Sequence, residues 1–272
     1  MFGEYRHFPG NGRGKRSVEF IIAASTDVGN VKESNQDSLS VKILDTPQGK
    51  MVFAILCDGM GGLEKGELAS ASVIRAFDQW LSESFSPICA APIDEGALRL
   101  GWENVLYSQN QKIRRYGDSH GIKLGTTVVA MLLTQEQYYI INIGDSRAYE
   151  LYNYCRQITY DHSWVAQEVS KGNMTPEEAR HDTRRNILLQ CVGASDQIYP
   201  DWFTGKILKD TVYMLCSDGF RNEVSADEIF QMLNPSFLLS EENMNQYANS
   251  VIDLCKQRQE RDNISTVLIR TY

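Results

Sequence analysis

Residues 51–62, MVFAILCDGMGG, run an apolar segment straight into Asp58 and a glycine-rich turn. A second run, VYMLCSDG over residues 212–219, ends the same way in Asp218. Apolar strands hold such aspartates in place, while Gly59 and Gly219 let backbone approach a ligand closely or turn a carbonyl toward it. Two carboxylates presented from rigid strand ends make the beginnings of a metal site. Asp-Gly after an apolar run is also a common hairpin turn, and for either copy alone the two readings stand level. Beyond Asp58, however, no second strand follows within two residues. Instead Ala69, Val73, Phe77 and Trp80 recur at helical spacing, which places Asp58 at a strand-to-helix junction.

Strands rich in β-branched and aromatic residues are expected over residues 18–24, 38–43, 51–56, 127–133, 138–143, 147–151, 211–216 and 264–269. Helices are expected over 66–83, 95–115, 163–171, 226–233 and 241–259, with Leu98, Trp102 and Val105 striping the second and Tyr247, Val251 and Leu254 the last. Strands clustered around two consecutive helices suggest α+β rather than a βαβ repeat, and stacked sheets flanked by helices satisfy the pattern. Residues 161–193 are a mixed polar segment with short helical turns, a flap over a site or an ordinary surface excursion. Within it Thr175 and Pro176 mark a helix start.

The chain has 272 residues, 42% of them hydrophobic, enough for a substantial core, and no linker divides it. Residues 1–16 read as a disordered tail without a signal-like apolar run, leaving 17–272 as one domain. No stretch approaches a membrane span. The six cysteines are scattered, without CxxC or zinc spacing, which favours buried thiols in a reducing cytoplasm. A net charge of −8 argues against a nucleic-acid partner. The small clusters Lys112/Arg114/Arg115 and Arg180/Arg184/Arg185 read as solvated helix faces.

Three further aspartates stand at element boundaries: Asp37 in SNQDSL, Asp145 in NIGDSRAY and Asp262 in ERDNIS. With Asp58 and Asp218 they form an oxygen-only donor set, suited to Mg²⁺ or Mn²⁺ rather than Zn²⁺ or copper. Converging carboxylates repel and raise one another's pKa, so a bound cation is the natural way to keep them ionised. Two such ions would supply hydroxide at neutral pH, and phosphoryl transfer is the obvious use. That chemistry wants a cation beside the metals, and Lys32 is the candidate, against its plainer reading as a solvated lysine.

The ordered stretches STDVGNVKESNQDS, CDGMGGLEKGELAS, GTTVVAML, NIGDSRAY, ITYDHSWV, EEARHDTRRNILLQCVG, MLCSDGFRNEV and RDNISTVLI give the chain a specific resemblance. It resembles the PP2C (PPM-type) family of metal-dependent protein serine/threonine phosphatases, most closely the compact bacterial branch. The resemblance implies a four-layer αββα sandwich of two mainly antiparallel sheets, with the metal centre at one end. It implies two Mn²⁺ or Mg²⁺ ions bridged by Asp58, with Gly59 offering its carbonyl to one and Asp218 and Asp262 completing the other. Asp37 would bind a metal directly or support a ligand that does, and Asp145 with Asp218 would form a weaker third site. Asn263 would orient water or the Asp262 carboxylate.

Three positions depart from the family pattern. Gln36 puts a neutral amide where many relatives have a carboxylate; Lys32 replaces a phosphate-binding arginine and loses its bidentate fork; Leu63 stands where a histidine often follows the glycines. No protein general acid is visible there, which leaves water to protonate the leaving group. His162 is expected to fix the start of the flap, and His181 to approach substrate if the flap closes.

The reading is a cytoplasmic, monomeric phosphatase acting on phosphoserine and phosphothreonine of proteins, including a cognate Ser/Thr kinase and its substrates, by attack of hydroxide bridging two ions. Asp58, Asp218 and Asp262 carry catalysis and Lys32 binds substrate. The alternative is a catalytically weak relative that binds a phosphoprotein or kinase as a regulator. A metal nuclease is a remote third, given the acidic balance.

Overall fold

The computed structural model describes residues 17–61, 65–90 and 92–272, so the expected tail over 1–16 and Leu63 lie outside the described residues. The strands are β1 (Phe20–Asp27), β2 (Ser38–Thr46), β3 (Gly49–Cys57), β4 (Gly59–Gly61), β5 (Leu124–Thr126), β6 (Val128–Leu133), β7 (Gln137–Ile143), β8 (Arg147–Leu151), β9 (Cys155–Gln157), β10 (Asp201–Lys206), β11 (Val212–Cys216) and β12 (Ile264–Thr271). The helices are α1 (Gly66–Cys89), α2 (Glu95–His120), α3 (Trp164–Ser170), α4 (Pro176–His181), α5 (Ala226–Met232) and α6 (Glu241–Gln257). One sheet has the order β1-β12-β11-β8-β9, the other β10-β7-β6-β3-β2, and β4-β5 form a small ribbon. Every pairing is antiparallel.

The apolar run of β3 explains the layering. Side chains alternate faces along a strand, so an unbroken run must be covered on both sides. Val52, Ala54 and Leu56 face the other sheet, in a core with Val129, Met131, Tyr213, Leu215 and Val267. Phe53, Ile55 and Cys57 turn the opposite way, against Phe77 of α1 and Trp102 of α2. The Phe53 ring lies 5.8 Å from Phe77 and 5.6 Å from Trp102. The outer face of the first sheet is likewise covered by α5 and α6, where Met214, Cys216 and Leu268 meet Ile229, Met244 and Val251. The result is α+β, an αββα sandwich. Each large apolar side chain fully buried in these layers contributes roughly 1.5–3 kcal/mol.

Differences from expectation have local causes. α1 continues to Cys89, past the expected end at residue 83, because buried Phe85 and Cys89 hold its last turn despite Pro87, with Phe85 5.9 Å from the Trp80 ring. α2 runs to His120 and stops where Gly121 adopts φ 65° and returns its N–H to Asp118 O and Gly117 O. Four short strands lie outside the expected set: β4, β5, β9 and β10. β4 is a glycine stretch with no strand propensity of its own, and it exists by pairing with β5. β9 and β10 are edge strands with one neighbour each, so their sequences lack an apolar run. All six cysteines are free, five of them buried. Among the described residues no helix is long and apolar enough to cross a membrane.

Candidate metal centre

Antiparallel order brings five chain segments to one end of the sandwich. Asp58 follows β3, Asp37 precedes its partner β2, Asp218 follows β11, Asp262 precedes its partner β12, and Asp145 sits in the β7–β8 turn. A cavity of about 330 Å³ opens there, lined by Asp58, Gly59, Asp145, Asp218, Asp262 and Lys32, with Asn186 and Leu188 of the 161–193 segment at its border. Asp37 is not part of this lining. Among the described residues no histidine faces the cavity. The hairpin reading of Asp58 is excluded, since Gly59–Gly61 pair with Leu124–Thr126 before α1 begins.

Backbone contacts fix the Asp58 turn. The Asp58 N–H donates to Thr127 Oγ1 at 3.0 Å, while the Asp58 carbonyl accepts from Thr127 N at 2.9 Å and Thr126 Oγ1 at 2.9 Å. Gly59 N–H donates to Gln36 O at 3.2 Å. A Cβ on Gly59 would stand 2.4 Å from that same oxygen, and one on Gly219 would stand 2.2 Å from Asn263 O. Both glycines are therefore demanded by a neighbouring strand or loop, whereas the sequence suggested a ligand's approach as the reason.

Two further residues organise the site, and one of them, Glu260, emerges only in three dimensions. Glu260 Oε1 accepts from the N–H groups of Arg261 and Asp262 at 2.7 and 3.0 Å, which orients the Asp262 loop. Asn263 does more than was expected of it. Its N–H donates to Asp262 Oδ1 at 2.8 Å, its Oδ1 accepts from Gln36 N at 2.8 Å, and its Nδ2 donates to Val28 O and Ser34 O at 2.9 and 3.1 Å. The amide thus staples the Asp37 loop to the Asp262 loop. A clue was available in the RDN triplet, but nothing in the sequence named Val28 or Ser34 as its partners.

The electrostatics are those of an uncompensated cluster. Burial and the charge of Asp37, followed by Asp218, Asp145 and Asp262, push the Asp58 carboxyl well above the usual carboxylate range. Asp37 is pushed up to about 7 by burial and by Asp218 and Asp262; nearby Ser265 and Ser217 pull the other way. Neither serine makes a well-formed hydrogen bond to it, because Ser265 Oγ pairs with Thr26 Oγ1 at 2.8 Å and both Asp37 oxygens lack a partner. Asp145 is raised to about 7 by burial and Asp218, against the pull of Arg221. Asp218 is raised by burial, and its Oδ1 has no partner.

Buried carboxylate oxygens without donors are costly, and they mark a place where a cation belongs. The donors are all oxygen, which fits a hard divalent ion. Among the described residues no three Asp, Glu, His or Cys side chains close into a ready-made cage. Carboxylates spaced around a cavity suit ions that keep part of their water, as Mg²⁺ and Mn²⁺ do.

Lys32, at the mouth, is 41% exposed and its Nζ lies 2.8 Å from Asp262 Oδ1. Burial works against its ammonium, but Asp262, Asp58 and Asp218 outweigh that and raise its pKa. Beside the centre lies a second, larger cavity of about 870 Å³, walled by α3, α4 and the loop after β11, and reaching Asp145 and Asp218. His162 stands in its wall. Its Nδ1 accepts from Gly144 N at 3.1 Å and lies 2.9 Å from Gln190 Nε2, and its Nε2 is 3.0 Å from Asp201 Oδ2. Leu189 N–H also donates to His162 O at 2.8 Å, so one residue ties both ends of the 161–193 segment to the turn that carries Asp145. His181 is exposed and pairs with Glu177 at 3.1 Å.

The family model described as protein phosphatase 2C matches residues 29–254. A serine/threonine phosphatase stp of Listeria monocytogenes is 31% identical over 249 residues, covering 90% of this chain and 93% of that protein. Protein phosphatase PhpP of Streptococcus pneumoniae is 29% identical over 256 residues, covering 91% and 96%. Among solved structures, the Streptococcus agalactiae serine/threonine phosphatase superposes with a TM-score of 0.78 at 26% identity, covering 93% of this chain and 99% of that one. The catalytic domain of the phosphatase PstP, solved in complex with two manganese ions, gives a TM-score of 0.76 at 26% identity, covering 94% and 99%.

Proposed function

This chain belongs to the protein phosphatase 2C family and is a metal-dependent phosphoprotein phosphatase, and on that premise we propose that it hydrolyses phosphoserine and phosphothreonine at the carboxylate cavity. The observation that carries this reading is a cavity large enough for a phosphate and its ions, lined by Asp58, Asp145, Asp218 and Asp262, with Asp218 Oδ1 and both oxygens of nearby Asp37 lacking a partner and the Asp58 carboxyl pushed up by burial and its neighbours' charge. The PstP domain, of the same fold, was solved with two manganese ions.

Asp58, Asp218 and Asp262 would hold the two ions with the support of Asp37, and the Gly59 carbonyl would be a further donor. Bound there, two divalent ions supply hydroxide at neutral pH and neutralise charge on the phosphoryl oxygens. The protein's share is position. Thr126 and Thr127 fix the Asp58 backbone, Glu260 and Asn263 fix Asp262, and the sheets allow little drift. Lys32 would release Asp262 to the metals and turn its ammonium to the phosphate, as a point charge rather than a fork. With no histidine among the described residues of the cavity, water would protonate the leaving serine or threonine oxygen. The 161–193 segment, whose Asn186 and Leu188 border the centre, would act as the flap that contacts the polypeptide around the phosphate. Phosphorylated proteins, among them a cognate kinase and its substrates, are the proposed partners of a monomeric, cytoplasmic enzyme.

The test is Mn²⁺-dependent release of phosphate from a phosphothreonine peptide by wild type, Asp58→Asn and Asp218→Asn. Activity in the wild type alone is expected; equal activity in all three would sink the mechanism.

A further inference from the structure

Arg221 follows the short 3-10 turn Asp218–Phe220 and points back across the carboxylates. Its side chain is 14% exposed. Nη2 donates to the Asp145 carbonyl at 3.2 Å and faces Asp145 Oδ2 at 3.5 Å and Asp161 Oδ2 at 3.6 Å. Nη1 donates to Asn222 Oδ1 at 3.1 Å, and the Asn222 amide in turn donates to Asp218 Oδ2 at 3.3 Å. Asp161 is held from its other side by Arg147, bidentate at 2.7 Å to each oxygen. The charges therefore alternate in space as Arg147, Asp161, Arg221, Asp145.

We propose that the Arg221 guanidinium is the permanent counter-ion of Asp145, standing where a metal ion would otherwise serve that carboxylate, so that the centre holds two divalent ions and not three. The inference rests on the metal-centre reading above and departs from the weaker third site that the sequence resemblance implied for Asp145 and Asp218.

The charge count supports it. Arg147, Asp161, Arg221 and Asp145 sum to zero among themselves. Asp37, Asp58, Asp218 and Asp262 remain, and the charges of two divalent ions balance those four carboxylates, with the Lys32 ammonium left over for an incoming phosphate. A third ion at Asp145 would have to sit against a guanidinium that cannot lose its proton and cannot easily leave, being held through Asp161 and Asn222. At such short range, in a site withdrawn from solvent, like charges repel strongly.

The experiment counts Mn²⁺ bound per full-length chain by equilibrium dialysis, with titration calorimetry for affinity. Wild type, Arg221→Lys and Asp145→Asn are each expected to bind two ions. Arg221→Gln is expected to bind a third, with its apparent Kd about tenfold or more tighter than any third equivalent in the wild type. Asp161 keeps its bidentate Arg147 in that variant, so the fold should survive. Should Arg221→Gln fail to fold, the Asp145→Asn count still decides. Three ions in the wild type falling to two in Asp145→Asn overturns the inference alone, as does a folded Arg221→Gln that still holds two. A wild type that binds no Mn²⁺ overturns the metal-centre reading and this inference with it.

Discussion

Asp161 and Asp58 lie at the same end of the sandwich, and desolvation raises the pKa of both, yet their carboxyls end up displaced in opposite directions. Arg147 and Arg221 overcome the burial of Asp161 and hold it below the usual carboxylate range. Around Asp58 the charges that weigh most are those of Asp37, Asp218, Asp145 and Asp262, and they add to the cost. The Asp161 cluster is finished by the chain itself. The Asp58 cluster is stable only to the extent that something outside the chain completes it, and that incompleteness is the mark of function. Asp145, touching both, is where the two regimes meet.

The contrast can be broken most forcefully at Asp58. In Asp58→Asn, phosphate release should fall on the order of 10²-fold or more, while the metal-free protein should melt higher than metal-free wild type, because one repelling charge is gone. A melting temperature in chelator that stays level or falls would contradict the view of the cluster as self-repelling.

Arg147→Met attacks the other region. It strips Asp161 of its bidentate partner, and an unpaired buried charge typically costs about 3–5 kcal/mol, read from chemical denaturation with and without Mn²⁺. A loss below about 1 kcal/mol would mean that Arg221 alone satisfies Asp161.

Asn263→Ala removes the staple between the Asp37 and Asp262 loops while leaving every carboxylate in place. Mn²⁺ affinity should weaken about 10- to 100-fold, and unchanged affinity would show that the sheets position both loops without it.

The smallest effect is the pH dependence of the metal-free protein. Asp37 and Asp145 have folded pKa values raised to about 7 from 3.8, so the folded state binds more protons than the unfolded state between those values. Stability should therefore rise as pH falls from 8 toward 5, read as a rising melting temperature. Asp161 works in the opposite sense: its pKa is lowered, so its contribution is present above 3.8 and is lost only as pH falls through its folded value. Excess Mn²⁺ should flatten the upper slope and leave the acid limb. A metal-free melting temperature that is flat from pH 5 to 8 would count against the raised values.

Much of this could be read along the chain. Strand β8 was expected over 147–151 and lies there, and β3, β6, β7, β11 and β12 fall within about two residues of expectation, because buried strands must be apolar and β-branched. The five aspartates and Gly59 were legible as residues at element ends, and Lys32 as a cation close before Asp37. Their convergence was implied by family resemblance, and the antiparallel order of the sheets supplies the physical reason. What escaped was whatever depends on a partner far away in sequence. β4 forms because β5 is beside it, Asn263 matters because its amide reaches Val28, Ser34 and Gln36, and Arg221 reads in sequence as a cation after SDGF with no stated neighbour.

The sequence by itself determined the layers and the inventory: apolar runs for the buried strands, helix faces, and an oxygen-only set of carboxylates. Only the tertiary structure decided which of those carboxylates are already paired and which are not. Pairing depends on distances of a few ångströms between segments more than 70 residues apart, as Arg221 and Asp145 are, and no local pattern of residues encodes such a distance.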